Sequence, residues 1–115
     1  MMIDIEFKEE LKMRIKNFTP HTINIFDGDV QTRVIVSDGL ARVSQTRRQV
    51  DNIDSIPLFI SKFGEVEGLP TQVKGTFVIV SRMVFTASGR SDLICVDDAV
   101  RDSQGRVVGC RAFSR

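Results

Sequence analysis

The clearest structural signal in the sequence is a buried β-strand at residues 76–80, TFVIV. These five consecutive residues carry no charge, and most are β-branched or aromatic, the types that favour strands. Ser81 follows directly and is suited to cap a short helix, which Gly89 would end. We therefore predict a central strand followed by a short helix, with continuation of the strand through residues 81–88 as the alternative.

The other strands are predicted from alternating apolar and polar residues and from the turn residues between them. The predicted strands cover residues 3–7, 11–16, 23–26, 33–36, 40–45, 53–63 (an edge strand bent at Pro57), 93–96 and 106–113. A short helix at residues 7–14 is the competing interpretation there, and the polar residues 45–52 predict an exposed loop or wide hairpin end. We expect an α+β fold in one compact domain, residues 1–115, that is strand-dominated with a mostly antiparallel sheet and one or two short helices.

Composition excludes several classes of protein. The chain of 115 residues is 42% hydrophobic and has a formal net charge of only +1, from 16 basic and 15 acidic side chains. No apolar run approaches the roughly 20 residues of a membrane span, and the acidic first residues do not resemble a signal peptide. The near-zero net charge and the lack of Tyr and Trp disfavour nucleic-acid binding. We expect a cytoplasmic protein with neither a membrane nor a nucleic acid as partner.

The two cysteines, Cys95 and Cys110, are predicted to be buried thiols because each lies in an apolar segment. One histidine and no CxxC pair make a zinc site improbable. Asp97 and Asp98 suit a hard cation, but neighbouring arginines would neutralise them. We therefore expect neither a metal nor another cofactor.

His21 is the only side chain that titrates near neutral pH without perturbation, so an acid or base step would use it first. Its structural alternative is to fix the turn after Pro20 through a hydrogen bond to a backbone carbonyl. No Ser-His-Asp order, GxSxG or HExxH pattern accompanies it. The sequence therefore favours a binding protein over an enzyme.

Arginine outnumbers lysine by eleven to five, and six arginines lie in the last 34 residues. The planar guanidinium suits bidentate contact with phosphate or carboxylate. We predict a pocket for a small anionic ligand in which Arg82, Arg101 and Arg111 contact phosphate, Phe113 stacks and His21 orients the ligand. Arg82 would lie at the strand-to-helix junction, where free backbone N–H groups could also hold an anion. The competing interpretation is that arginine–aspartate pairs account for these arginines without any ligand.

Several stretches of the chain resemble a group of short bacteriophage and prophage proteins that open with an N-L-T-P-H-type motif. The stretches are residues 17–23 (NFTPHTI), 64–70 (GEVEGLP), 77–84 (FVIVSRMV), 100–102 (VRD) and 105–110 (GRVVGC). They extend over about residues 13–114, so residues 1–12 resemble an N-terminal extension. Phe18 stands where the group usually has leucine, which should affect packing more than chemistry.

The resemblance implies a phage context, and no activity is attached to the group. Together with the arginine excess, it predicts a non-enzymatic phage accessory protein in the host cytoplasm. We expect it to form a homo-oligomer and to bind a small anionic ligand, such as a nucleotide that signals host defence. The alternatives are a module that binds a host or phage polypeptide through an exposed strand edge, and a His21-dependent nucleotide hydrolase.

Overall fold

The computed structural model describes residues 13–115, which form eight strands and one helix. In chain order these are β1 (Arg14–Asn17), β2 (Ile23–Asp27), β3 (Val30–Ile35), β4 (Arg42–Ile53), β5 (Ile56–Glu67), β6 (Thr76–Ile79), α1 (Arg82–Ser88), β7 (Leu93–Arg101) and β8 (Val107–Ser114). The proposed N-terminal extension at residues 1–12, the strand at 3–7 and most of the competing helix at 7–14 lie outside the described residues. The prediction of a strand-dominated fold is confirmed.

Six of the strands form one sheet in the order β1-β6-β7-β8-β2-β3. The β1–β6, β6–β7 and β8–β2 pairs are parallel, whereas β7–β8 and β2–β3 are antiparallel. The prediction of a mostly antiparallel sheet was therefore wrong, because the sheet is mixed. The physical reason is that α1 crosses from the end of β6 to the start of β7 and makes those strands parallel. β1 then adds to the other side of β6 from a distant part of the chain.

The β6 strand explains the uninterrupted apolar signal of residues 76–80. It lies between β1 and β7, and alternate residues pack into cores on opposite faces of the sheet. Ile79 belongs to one buried cluster with Ile23, Ile35, Ile94 and Cys110. The cluster on the other face contains Ala41, Val78, Val80, Val84 and Leu93. The predicted central strand is thus confirmed.

Helix α1 begins and ends as predicted. The Ser81 hydroxyl accepts a hydrogen bond from the Val84 N–H at 3.3 Å, which caps the first turn. At the other end, Gly89 has a φ of 70°, a left-handed conformation that glycine adopts at little cost, and its N–H donates to the Phe85 carbonyl at 3.3 Å. Within residues 13–115 it is the single helix, and it is not long enough to cross a membrane.

The β4 and β5 strands pair only with each other, as a ribbon of two twelve-residue strands. They run antiparallel from Arg42↔Glu67 to Ile53↔Ile56, and Asp54 and Ser55 make the turn with positive φ angles. Residues 45–52 were predicted to be an exposed loop or wide hairpin end. They are exposed and belong to a hairpin, but the loop alternative was wrong, because these polar residues form most of β4. The ribbon packs on the rest of the protein only near its base. Neither face of its outer part is buried, and its sequence accordingly does not show the alternation of apolar and polar residues that is typical of a half-buried strand.

Four other predicted strands were approximately right. β8 matches the expected strand at 106–113, and β3 begins at Val30, three residues before the expected strand at 33–36. β7 continues to residue 101, beyond the expected end at 96. The strand expected at 53–63 instead begins at Ile56, after the turn of the ribbon, and Pro57 pairs with Asn52 close to that turn.

Candidate ligand-binding cavity

A cavity of about 400 Å³ lies at the edge of the sheet where the parallel strands β1 and β6 end. Three parts of the chain line it: the loop after β1, the junction between β6 and α1, and facing segments of β7 and β8. The lining residues are Thr19, His21, Thr22, Ile23, Val80, Ser81, Arg82, Cys95, Val96, Val107, Val108, Gly109 and Cys110. Crevices at the carboxyl ends of parallel strands are frequent ligand sites, and a volume of 300–1,000 Å³ is typical of small-molecule pockets.

The loop that carries His21 is held by Asn17, which is fully buried at the end of β1. The Asn17 side-chain amide donates to the His21 carbonyl at 2.7 Å and to the Ile35 carbonyl at 3.1 Å. Its amide oxygen accepts from the Thr19 N–H at 3.0 Å and from the Thr19 hydroxyl at 2.7 Å. All four bonds converge on one side chain, so Asn17 fixes both the loop after β1 and the neighbouring end of β3.

The backbone of His21, rather than its imidazole, makes the contacts that fix this turn. Its carbonyl accepts from Asn17 and from the Thr19 hydroxyl, and its N–H donates to the Thr19 hydroxyl at 3.5 Å. The imidazole is exposed at the cavity and makes no hydrogen bond to any of residues 13–115. The side chain is therefore available to a ligand.

Arg82, the first residue of α1, places a positive charge at the same cavity. Its Nη2 donates to the Ser114 hydroxyl at 2.9 Å, and its guanidinium carbon lies 5.3 Å from the centre of the Phe85 ring. Among the described residues it forms no salt bridge. A hydroxyl and an aromatic ring position the guanidinium without neutralising it, so its charge remains available for an anion.

The free N–H groups that the sequence suggested for the β6–α1 junction are partly used within the protein. Ser81 caps the Val84 N–H, and the helix has only seven residues. We therefore assign attraction for an anion to the Arg82 side chain and not to the helix terminus.

The interior of the cavity is largely apolar and includes both cysteines. Cys95 and Cys110 are free and buried, as the sequence predicts. Burial raises the pKa of both thiols, and for Cys95 the positive charge of Arg82 opposes the shift. Cys95 pairs with Ser114, four residues from Cys110, which separates the two Cα atoms by about 14 Å along the strands. A disulfide requires less than about 7 Å, so the cysteines serve as an uncharged apolar surface.

The other predicted ligand residues lie outside the cavity lining. Arg101 is exposed, and its Nη1 donates to the Gly105 carbonyl at 2.8 Å within the β7–β8 turn. Arg111 approaches Asp29 at 3.5 Å and Asp98 at 3.7 Å, and its Nε donates to the Gly28 carbonyl at 2.8 Å. Phe113 is partly buried against the core cluster that contains Ile79. The structure thus brings together His21 and Arg82 but not Arg101, Arg111 or Phe113.

Aspartate pairing accounts for several of the C-terminal arginines. Arg90 makes a bidentate contact with the buried carboxylate of Asp92, at 3.0 and 2.7 Å, and these hydrogen bonds raise the pKa of Arg90. Arg106 and Asp102 are joined at 3.1 Å. Of the two aspartates considered for a cation, Asp98 faces Arg111, and the nearby Asp92 and Asp102 also face arginine. Within residues 13–115, no group of three or more His, Cys, Asp and Glu side chains is placed to hold a metal ion.

Asn17 is the residue that the sequence did not single out. The signal for it was present, because asparagine two residues before a threonine can accept the backbone N–H of that threonine in an Asx-turn. The Asn17–Thr19 contacts have this geometry. The bond to the Ile35 carbonyl joins distant parts of the chain and has no counterpart in local sequence.

Comparison with known proteins does not identify a relative of this chain. No protein-family model, curated protein or solved structure matches the chain. The resemblance to phage and prophage proteins therefore stays a prediction from the sequence.

Proposed function

We propose that the protein binds a small anionic ligand in the cavity between the β1 loop, the β6–α1 junction and β8, without transforming it. The observation that carries the proposal is Arg82, a cation positioned at the mouth of a mainly apolar cavity with no acidic partner among residues 13–115. A ligand that suits this site combines a negative charge with an apolar or flat portion. A nucleotide has both.

Two parts of the cavity would bind two parts of the ligand. Arg82 and the hydroxyls of Ser81 and Thr22 would contact the anionic group, and the imidazole of His21 would orient it. The apolar interior, which includes Val108 and the uncharged cysteines, would cover the flat portion. This assignment keeps His21 and Arg82 as ligand residues and leaves Arg101, Arg111 and Phe113 with contacts inside the fold.

Binding without catalysis is favoured by what surrounds His21. The described cavity lining contains no carboxylate that could orient the imidazole or activate water beside it. A hydrolase normally requires such a second group, or a metal, near its general base. In the phage context suggested by the sequence, such a binding protein would act in the host cytoplasm by sequestering a nucleotide that signals defence.

Ultraviolet absorption offers a direct test, because the chain has eight Phe residues but no Tyr and no Trp. Protein purified from cells that contain the ligand should show a strong band near 260 nm that heat or acid releases into the soluble fraction. Mass spectrometry of the released material would then identify the nucleotide. A spectrum with phenylalanine bands alone, together with no retention of added nucleotides in equilibrium dialysis, would overturn the proposal.

A second candidate function is supported by the open edge of β3. Among the described strands β3 pairs only with β2, and Val30 and Val34 on it are 66% and 50% exposed. A polypeptide that adds a strand to this edge would gain backbone hydrogen bonds and cover those side chains. Capture of one host or phage protein by the wild type but not by Thr32→Pro would favour this function, since proline blocks strand addition.

A further inference from the structure

The β4–β5 ribbon leaves an apolar surface without a partner in residues 13–115. The pairs Arg48↔Ile60, Asp51↔Leu58 and Ile53↔Ile56 place one set of side chains on the same face. We call this set, Ile53, Ile56, Leu58 and Ile60, the apolar ribbon face. Their exposed fractions are 61%, 66%, 40% and 48%. A two-stranded hairpin is only marginally stable in water by itself, so an exposed ribbon of this length benefits from a partner.

The opposite face of the ribbon is better covered. At the base, Val43 and Val66 pack against the buried cluster that contains Val84. Farther out, the guanidinium carbon of Arg47 lies 3.8 Å from the centre of the Phe59 ring and covers part of it, which leaves Phe59 39% exposed and Phe63 37% exposed. The apolar ribbon face is therefore the side of the ribbon most in need of a cover.

Charges at the two ends of the apolar ribbon face are opposite in sign. Arg48 and Lys62 lie at its inner end, Asp51 lies beside Leu58, and Asp54 lies at the tip. Arg48 pairs with Ile60, and Asp51 pairs with Leu58, two positions farther along β5 toward the tip. A second ribbon laid antiparallel across the first, with the two-fold axis midway between Leu58 and Ile60, would bring Arg48 of each copy to Asp51 of the other and Leu58 of each copy to Ile60 of the other.

The apolar ribbon face supplies about half of the area that each copy contributes to a standard interface, and the polar side chains around it supply the rest. In a single copy of the chain, the four apolar residues together expose roughly 400 Å² to water. A standard interface uses about 800 Å² from each partner, with an apolar centre and a polar rim. Arg48, Lys62, Thr46 and Asp51 surround the centre and supply the rim.

We infer that the chain forms a two-fold homodimer in which the apolar ribbon faces of two copies pack antiparallel against each other. The arrangement is self-complementary, as a two-fold interface must be: Leu58 of each copy meets Ile60 of the other, and Arg48 of each copy meets Asp51 of the other. The cavity with Arg82 lies elsewhere on the fold, so dimerisation and ligand binding are independent claims.

Sedimentation equilibrium of the full chain tests the inference. The wild type should have twice the monomer mass of 12.9 kDa at micromolar concentration. Ile56→Lys and Leu58→Glu should each raise the dimer dissociation constant at least a hundredfold, because each change enters a two-fold interface twice. Far-UV circular dichroism should show that both variants remain folded, since these side chains are exposed.

Matched substitutions outside the ribbon provide the controls. Val30→Lys changes a valine as exposed as Ile56, 66% in both, but on β3, and it should leave the dimer intact. Arg48→Glu should weaken the dimer at least tenfold by facing Asp51 of the partner copy, whereas Lys74→Glu, outside the ribbon, should not.

Three results would overturn the inference. The first is a wild-type chain that stays monomeric at about 100 µM, which would mean that a different polypeptide covers the apolar ribbon face. The second is a dimer unaffected by Ile56→Lys and Leu58→Glu. The third is a dimer disrupted by Val30→Lys instead, which would place the interface on the β3 edge.

Discussion

At the scale of single residues, the candidate cavity depends on one buried asparagine. Asn17 joins the end of β1 to the His21 loop and to the end of β3 through hydrogen bonds of 2.7–3.1 Å. A buried amide with every polar atom satisfied stabilises one arrangement of its neighbours, because any other arrangement leaves buried groups unpaired. His21 is thus placed at the cavity by a side chain that does not itself line it.

Replacing Asn17 should therefore destabilise the whole protein. We expect Asn17→Ala to lower the free energy of unfolding by about 3 kcal/mol, since the buried Ile35 carbonyl and the Thr19 groups lose their partner. Urea denaturation measures this loss. Asn24→Ala is the matched control, because Asn24 makes a single exposed hydrogen bond to the Val108 carbonyl at 2.9 Å, and its loss should be below about 1 kcal/mol. Equal losses in the two variants would contradict the role assigned to Asn17.

The turn between β7 and β8 predicts a dependence of stability on pH. Hydrogen bonds from the backbone N–H groups of Arg106 and Gln104, and from the Arg106 side chain, lower the pKa of Asp102 below the ordinary value of an aspartate. A carboxylate whose pKa is lower in the folded than in the unfolded chain stabilises the fold above the unfolded pKa. That contribution is lost as the pH falls through the folded pKa.

Chemical denaturation between pH 5 and pH 2 tests this expectation. The wild type should lose stability across the lower part of this range, and Asp102→Asn should lose less, because asparagine still accepts the backbone hydrogen bonds but does not titrate. A decline in Asp102→Asn as steep as that of the wild type would show that other groups control the acid sensitivity.

At the scale of secondary-structure elements, local chemistry predicted some segments and not others. Ser81 and Gly89 defined α1 because caps are local features, and residues 76–80 defined β6 because burial on both faces leaves a continuous apolar run. The ribbon could not be predicted in the same way. Its β4 strand is mostly polar and exposed, and what makes it a strand is pairing with β5, which the local sequence of β4 does not encode.

The ribbon leaves the body of the protein through a close backbone contact at Gly68. This residue has a φ of 85°, and a Cβ built on it would collide with the Leu40 carbonyl oxygen. We expect Gly68→Ala to cost more than about 2 kcal/mol of stability, from strain and steric overlap together. Gly28→Ala is the control, because Gly28 also has a positive φ, 58°, but nothing within 4 Å of the added carbon. It should cost only about 1 kcal/mol in thermal or urea denaturation, and equal effects would argue against a tight contact at the ribbon base.

At the scale of the whole molecule, the cavity is a product of topology. Its polar rim joins residues near position 20 to residues near position 81, because β1 and β6 are parallel neighbours. The sequence identified His21 and Arg82 as chemically suitable, but it also selected Arg101 and Arg111, which the structure pairs with groups of the β7–β8 turn and the β2–β3 turn. Residue type indicates what a side chain can bind, whereas long-range strand pairing decides which side chains meet.

Isothermal titration calorimetry with a panel of nucleotides tests the central claim most directly, using Arg82→Ala and Arg111→Ala beside the wild type. Arg82 lies at the cavity, and Arg111 is held by Asp29, Asp98 and the Gly28 carbonyl away from the cavity lining. We predict that at least one nucleotide binds the wild type, that Arg82→Ala weakens it at least tenfold, and that Arg111→Ala leaves the affinity unchanged. No binding by any nucleotide, or equal loss in the two variants, would contradict the account.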